Sequence, residues 1–167
     1  MSIDGEFVVI DFETTGLSPA KGDRITEVAA VRVRGTQITD RFVTLVNCGV
    51  PIPYYIQTLT GISDEMRNTA SDVAYVIPQL MEFIGNSTLC AHNAAFDHAF
   101  LENECRIAGL RLRKAHASYI CTRRLAQRYF PSLDNYKLPT LESCLGLIRQ
   151  GRAHRAESDA LVTCDLI

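Results

Sequence analysis

Asp11 and Glu13 stand two residues apart in Asp-Phe-Glu-Thr-Thr-Gly, directly after the apolar run Phe7-Val8-Val9-Ile10. An apolar, β-branched run ended by turn residues reads as a strand, and the period of two along a strand turns both carboxylates to one face. Acids that close repel and raise one another's pKa unless a cation lies between them. Hard oxygen donors select Mg²⁺, with Mn²⁺ as a workable substitute, over zinc. The same spacing also fits two solvated acids at a loop edge, and by itself it does not separate the two readings.

Two further acids shift that balance. Asp97 lies in Ala91-His92-Asn93-Ala94-Ala95-Phe96-Asp97, just past a short strand and in the first turns of a helix. Asp159 follows His154-Arg155-Ala156-Glu157-Ser158 near the start of the last helix. If the two strands are neighbours, ligands from three segments converge at one rim of an α/β sheet, which is where such sheets bind ligands. His154 adds a group whose unperturbed pKa of about 6.5 suits a general base, although a loop histidine taken alone is ordinarily just a surface residue.

Several elements must position these groups. Arg24–Arg34 and Gln37–Asn47 read as strands joined by the short connection Gly35-Thr36, so the first three strands should form an antiparallel meander. After the proline-broken loop at Pro51 and Pro53, Val73, Val76, Ile77, Leu80, Met81 and Ile84 recur at helical spacing until Gly85. Thr88–His92 is a fourth strand, and Phe96, Phe100, Leu101 and Ile107 mark a helix ending at Gly109. Tyr119–Phe130 and Thr140–Ile148 read as helices, with a short strand near Tyr119 left open, and a last helix begins near Arg155. The pattern is α/β.

At 167 residues and 47% hydrophobic content, the chain suits one domain spanning 1–167. The uncharged stretch Phe42–Ser63 is interrupted by Asn47, Gly49, Pro51, Pro53, Gln57 and Gly61 and cannot span a membrane, and the opening Met1–Glu6 lacks a basic flank and apolar core, so the expectation is a cytoplasmic protein without membrane attachment. Six scattered cysteines form no C-x-x-C pair and read as reduced thiols; Cys90 and His92 share a strand face but make a poor metal pair. The net charge of −2 hides an asymmetry. Residues 1–105 hold 14 acidic and 6 basic side chains, residues 106–167 hold 5 acidic and 11 basic. An acidic pocket beside a basic surface suits an enzyme that holds cations and grips phosphates, whereas single arginines equally suit solvated helix faces.

Asp11-Phe12-Glu13-Thr14-Thr15-Gly16-Leu17, the segment ending at Asp97, and His154-Arg155-Ala156-x-x-Asp159 together resemble the three motifs of the DnaQ-like DEDDh exonucleases, the family of the proofreading epsilon subunit of bacterial DNA polymerase III. Leu59-Thr60-Gly61-Ile62 and Tyr136-Lys137-Leu138 leading into Leu141 extend the likeness over nearly the whole chain. Each motif alone is weak, but all three in order on the right elements are strong.

The resemblance implies a ribonuclease H-like fold, with a central mixed sheet of about five strands and helices on both faces. It implies a two-metal 3′→5′ exonuclease that hydrolyses terminal phosphodiesters and releases nucleoside 5′-monophosphates. Asp11, Glu13 and Asp159 would hold one Mg²⁺, with Asp11 bridging to a second that Asp97 supports, and His154 would take the proton of the attacking water. Thr14, Thr15, Gly16 and Leu17 would contact the terminal nucleotide, with His92 and Asn93 shaping the site. Ile62 would wedge between the last two bases, and Phe96 would offer a stacking face. The expected substrate is a single-stranded or frayed 3′ end of DNA, with RNA as the alternative and a DNA polymerase as the partner. A non-catalytic module that binds strand ends or a polymerase is the rival of another class, disfavoured by the complete acidic set and His154. The last helix, barely two turns long after Asp159, departs from the family's usual length, so either the sequence is a piece of a longer protein or Asp159 is held less rigidly than usual.

Overall fold

The computed structural model describes residues 5–112, 116 and 118–167; Met1–Asp4, on which part of the leader reading rests, lie outside the described residues. The apolar run at Phe7 is buried because its strand, β1 (Glu6–Thr14), sits inside the sheet with both faces covered. β2 (Ile25–Arg34) pairs antiparallel with it, and β3 (Gln37–Asn47) pairs antiparallel with β2 across the two-residue turn at Gly35-Thr36. Gly35 adopts φ 61°, a left-handed conformation that glycine takes without a Cβ clash. The meander is therefore present as expected.

Beyond it come β4 (Ser71–Asp72), β5 (Thr88–Ala91) and β6 (Tyr119–Cys121), giving the order β4-β3-β2-β1-β5-β6. β5 lies parallel to β1, as convergence of the acids requires. The sheet has six strands where the sequence leads to about five. The addition is β4, whose two residues pair with Val46 and Asn47 and are too few to leave an alternating pattern.

Seven α-helices are described: α1 (Tyr54–Thr60), α2 (Asp64–Thr69), α3 (Val73–Ile84), α4 (Ala95–Ile107), α5 (Thr122–Tyr129), α6 (Leu138–Leu145) and α7 (Ala156–Asp165). The short α1 and α2 fill what the sequence suggests is a broken loop. Tyr119–Cys121 leave the expected helix to become β6, and α6 starts earlier and ends at Leu145, where Gly146 turns left-handed. With ten residues, α7 runs closer to three turns than two. Among the described residues no helix is long and apolar enough to cross a membrane.

Alternation along β1 sorts the layers. Val8, Ile10 and Phe12 pack with Val76, Ile77 and Leu80 of α3 and Phe100 and Leu101 of α4. Phe7 and Val9 face the other way, onto Ala29, Val31, Cys90 and the small Ala156 and Ala160 of α7. Asp11 and Glu13 continue that second face, so the parity that buries Phe7 and Val9 aims both acids toward α7.

One buried ion pair fixes α4 against the sheet. Glu104 is fully buried and accepts from Arg24 through Nε and Nη2, both at 2.8 Å, and from the Ile25 amide at 3.3 Å. Removing one partner strands a buried charge. Glu104→Ala should therefore lower unfolding stability by about 3–5 kcal/mol in urea titration; a loss under about 1 kcal/mol would mean that the pair is dispensable.

Candidate active site

β1 is longer than its parallel neighbour. Pairing with β5 stops at Val9↔Cys90, so the β1 edge beyond it is bare on that side. Asp97, in the first turn of α4 and 2% exposed, covers this edge: its Oδ1 accepts from the Phe12 amide at 3.2 Å. The carboxylate thus reaches Asp11 and Glu13 from the opposite layer, around the sheet rim.

Asp159 arrives from the other side, in the first turn of α7. The helix is placed by Glu27 of β2, which is 2% exposed and cross-strand from Glu13. Glu27 accepts from the Ala156 amide at 2.9 Å and from the Arg155 guanidinium, with Nη2 at 2.5 Å. It caps the start of α7, and Arg155 in turn offsets the Glu27 charge that faces Glu13 across the strands. His154, immediately before this clamp, is exposed and held at φ 59°, a conformation that costs a non-glycine residue energy unless its surroundings enforce it.

The result is a pocket of about 200 Å³ lined on one side by Asp11, Glu13, Asp97, His154 and Asp159. Ligand atoms of Glu13, His154 and Asp159 lie within 4.8 Å of one another. Burial, then the neighbouring Asp97, Asp159 and Glu13, raises Asp11 well above the carboxylate range. Burial followed by Asp159 and Glu27 pushes Glu13 up to about 8, and burial raises Asp97 to about 8 against the opposing pull of its amide bonds. Among the described residues no arginine or lysine pairs with Asp11, Glu13 or Asp97. Asp159 alone has such a partner: Arg149 donates to it while its other nitrogens hold Glu142 of α6 at 3.0 and 2.5 Å. Crowded hard oxygen donors with too few cations fit divalent metal ions.

The opposite wall is apolar. Leu17, 83% exposed, projects beside Leu59, Ile56 and Phe96, with Thr14 and Gly16 at its base. A Cβ at Gly16 would displace the Asp23 carboxylate from the Thr15 hydroxyl and the Ser18 amide, from which it accepts. Other expected contacts lie elsewhere. Ile62 is fully buried with Ile52 and Ile56, so its side chain cannot wedge between bases; Leu59, one turn earlier in the same segment, lines the pocket instead. Thr15 is also buried, its hydroxyl accepting from the Arg24 amide at 3.0 Å and donating to Asp23. Asn93 stands outside this pocket at φ 64°, accepting from Arg123 at 3.2 Å. His92 borders the pocket but spends both ring nitrogens on structure, Nε2 on the Tyr136 carbonyl at 2.7 Å and Nδ1 on the Thr122 hydroxyl at 2.9 Å. Burial lowers its pKa, and the neutral ring then donates from Nε2 and accepts at Nδ1. Cys90 packs in the apolar layer under α7.

A family model described as exonuclease, that of RNase T, matches residues 8–167. The chain belongs to this exonuclease family. It is 40% identical over 166 residues to the PolC-type DNA polymerase III of Clostridium perfringens, covering 99% of this chain and 11% of that protein. It is 36% identical over 164 residues to the DNA polymerase III subunit epsilon of Aquifex aeolicus, covering 98% of this chain and 79% of that one. This exonuclease domain therefore spans about a tenth of the length of the PolC-type relatives it matches. Its fold superposes with a TM-score of 0.85 and 20% identity on the nuclease domain of 3′hExo, a DEDDh family member bound to rAMP, covering 99% of this chain and 90% of that one. The expected mixed α/β architecture is met, and membership of the exonuclease family agrees with the resemblance carried by the three motifs.

Two residues that organise the site escaped the sequence reading. Glu27 left a trace, an acid on the inward face of an otherwise apolar strand; Arg149 left none, because its partners are set only by the meeting of α6 and α7.

The raised carboxyl groups predict a pH dependence. The folded protein holds protons on Glu13 that the unfolded chain releases from its ordinary value near 4.5, so metal-free stability should fall as pH rises from about 4.5 to about 8. Cations binding the ionised acids oppose that loss. In thermal melts, added Mg²⁺ should raise Tm far more at pH 8 than at pH 5, relative to EDTA; equal shifts at both pH values would show that these acids are not what the ion meets.

Proposed function

We propose that this domain is a Mg²⁺-dependent 3′→5′ exonuclease that removes nucleoside 5′-monophosphates from the single-stranded or frayed 3′ end of DNA. The observation that carries the reading is the convergence of Asp11, Glu13, Asp97 and Asp159 with His154 on one wall of a pocket whose other wall is apolar. A scissile phosphate needs the first wall, and a terminal sugar and base need the second.

Asp11, Glu13 and Asp159 would hold one divalent cation, and Asp11 with Asp97 a second. Bound there, the pair would acidify the attacking water and offset the charge gathering on the leaving oxygen. His154 accepts the water's proton at a ring nitrogen, and its exposure at the pocket rim lets it return that proton to solvent after each turnover. The water oxygen bonds to phosphorus as the bond to the 3′ oxygen breaks, and that oxygen takes up a proton to become the new 3′ hydroxyl. Thr14, Gly16 and Leu17 line the place of the terminal nucleotide, with Phe96 and Leu59 against its sugar and base. Apolar and stacking contacts accept any base, as removal of successive nucleotides requires.

DNA is favoured as substrate because the relatives are named as DNA polymerase III proteins, which also makes a DNA polymerase, covalently joined or separate, the natural partner. RNA is the second reading, supported by the rAMP bound to 3′hExo. Matched DNA and RNA oligonucleotides compared at one salt concentration distinguish them, since backbone charge is then held constant. His154→Ala should slow mononucleotide release by roughly 10²–10⁴-fold while calorimetric Mg²⁺ binding stays within a few-fold of the parent. An unchanged rate would remove His154 from the reaction.

A further inference from the structure

The pocket has an outlet on its polar side. A groove of about 420 Å³ begins at His92, His154 and Asp159, which it shares with the pocket, and runs past Tyr136 and Lys137 to Arg123. A second depression of about 210 Å³ continues from Arg123 to Arg124. We propose that this groove holds the backbone phosphates of the strand upstream of the scissile bond, with Arg123 and Lys137 as their cationic partners. The proposal rests on the exonuclease reading and names where that reading's substrate must run.

Arg149, which also lines the groove, is held by Glu142 and Asp159, but the other cations along it are uncommitted. Arg24, Arg32, Arg34, Arg41, Arg67, Arg149 and Arg155 each pair with a carboxylate. Among the described residues, Arg123, Arg124 and Lys137 have no such pair; Arg123 contacts only the neutral Asn93 side chain, and all three are exposed. Helix stability does not account for them. Arg123 and Arg124 lie in the first turn of α5, at the positive end of the helix dipole, where cations are unfavourable and anions welcome. α5 contains three arginines and no acid to offset them. An incoming phosphate would relieve this repulsion.

The opposite flank offers backbone phosphates no cation. Leu17, Leu59 and Ile56 form it, and among the described residues no arginine or lysine lines the pocket there. A strand whose last nucleotide rests on that apolar wall must leave over His154, along the cations.

The test is binding of a fluorescently labelled single strand of ten nucleotides, followed by anisotropy in EDTA across a KCl series, together with hydrolysis in Mg²⁺. Each phosphate contact on a single strand contributes about 0.7 to the slope of log Kd against log salt. Arg123→Gln with Lys137→Gln should therefore reduce that slope by about 1.4. Arg106→Gln with Arg111→Gln, equal in charge and away from the groove, should leave it unchanged. In hydrolysis, the groove variant should raise KM for the ten-nucleotide strand at least tenfold but not for a dinucleotide, which has no upstream phosphate. An unaltered slope, an equal change in the control, or an equal KM effect on both substrates would overturn the groove. Binding with the predicted slopes but no hydrolysis by the parent protein would leave the groove standing and overturn the exonuclease reading; hydrolysis with unaltered slopes would do the reverse.

Discussion

Four carboxylates with too few cations among them form the constraint to which the remainder of this fold answers. Left in water such groups would separate, and in the folded chain they cannot. Asp11 and Glu13 are fixed by strand parity, Asp97 by its bond to the Phe12 amide, and Asp159 by the placement of α7. Burial, joined at Asp11 and Glu13 by repulsion from the neighbouring carboxylates, raises the affinities of Asp11, Glu13 and Asp97 for protons. Under the proposed function a divalent ion would relieve the crowding, and the energy spent in assembling the site would become affinity for metal.

That energy comes from the two apolar layers. β1 contributes alternate residues to each, which makes it the strand least able to shift without moving both. A slip of one residue would send the acids into the α3 and α4 layer and Phe12 to the pocket. Ala156 and Ala160 are small, which lets α7 come close to Val9 and Val31 and carries Asp159 within reach of Glu13. Local charges finish the placement. Glu27 anchors Arg155 and the first amide of α7, and Arg149 ties Asp159 to Glu142 across two helices. The His154 backbone is held between these two fixed arginines, which explains how it keeps a left-handed conformation without being glycine.

Much of this was legible in the residues. The α3 stripe, with its stop at Gly85, needs only helical periodicity and coincides with Val73–Ile84. The acids and His154 were visible because hydrophilic groups at the end of an apolar strand and at a helix start stand out against their surroundings. The missing parts share one cause: they are determined by tertiary contact. α1, between Pro53 and Gly61, and α2, just beyond that glycine, are seven and six residues long, too short for a periodic signal. β4 exists only because Asp72 and Ser71 meet β3. Ile62 and Leu59 are equally apolar in sequence, and only the turn at Gly61 decides which is buried and which faces the pocket. Thr15 and His92 have polar groups suited to a substrate, but the fold employs them on Arg24, Tyr136 and Thr122.

The central claim is physical: these carboxylates share divalent ions. Crystals grown with Mn²⁺ and measured at its absorption edge would show this directly. The account predicts anomalous peaks bounded by Asp11, Glu13, Asp97 and Asp159, with Asp11 contacting both ions if two are bound, and their loss in Asp11→Asn crystals. A well-ordered structure in millimolar Mn²⁺ with no peak among those side chains would contradict it.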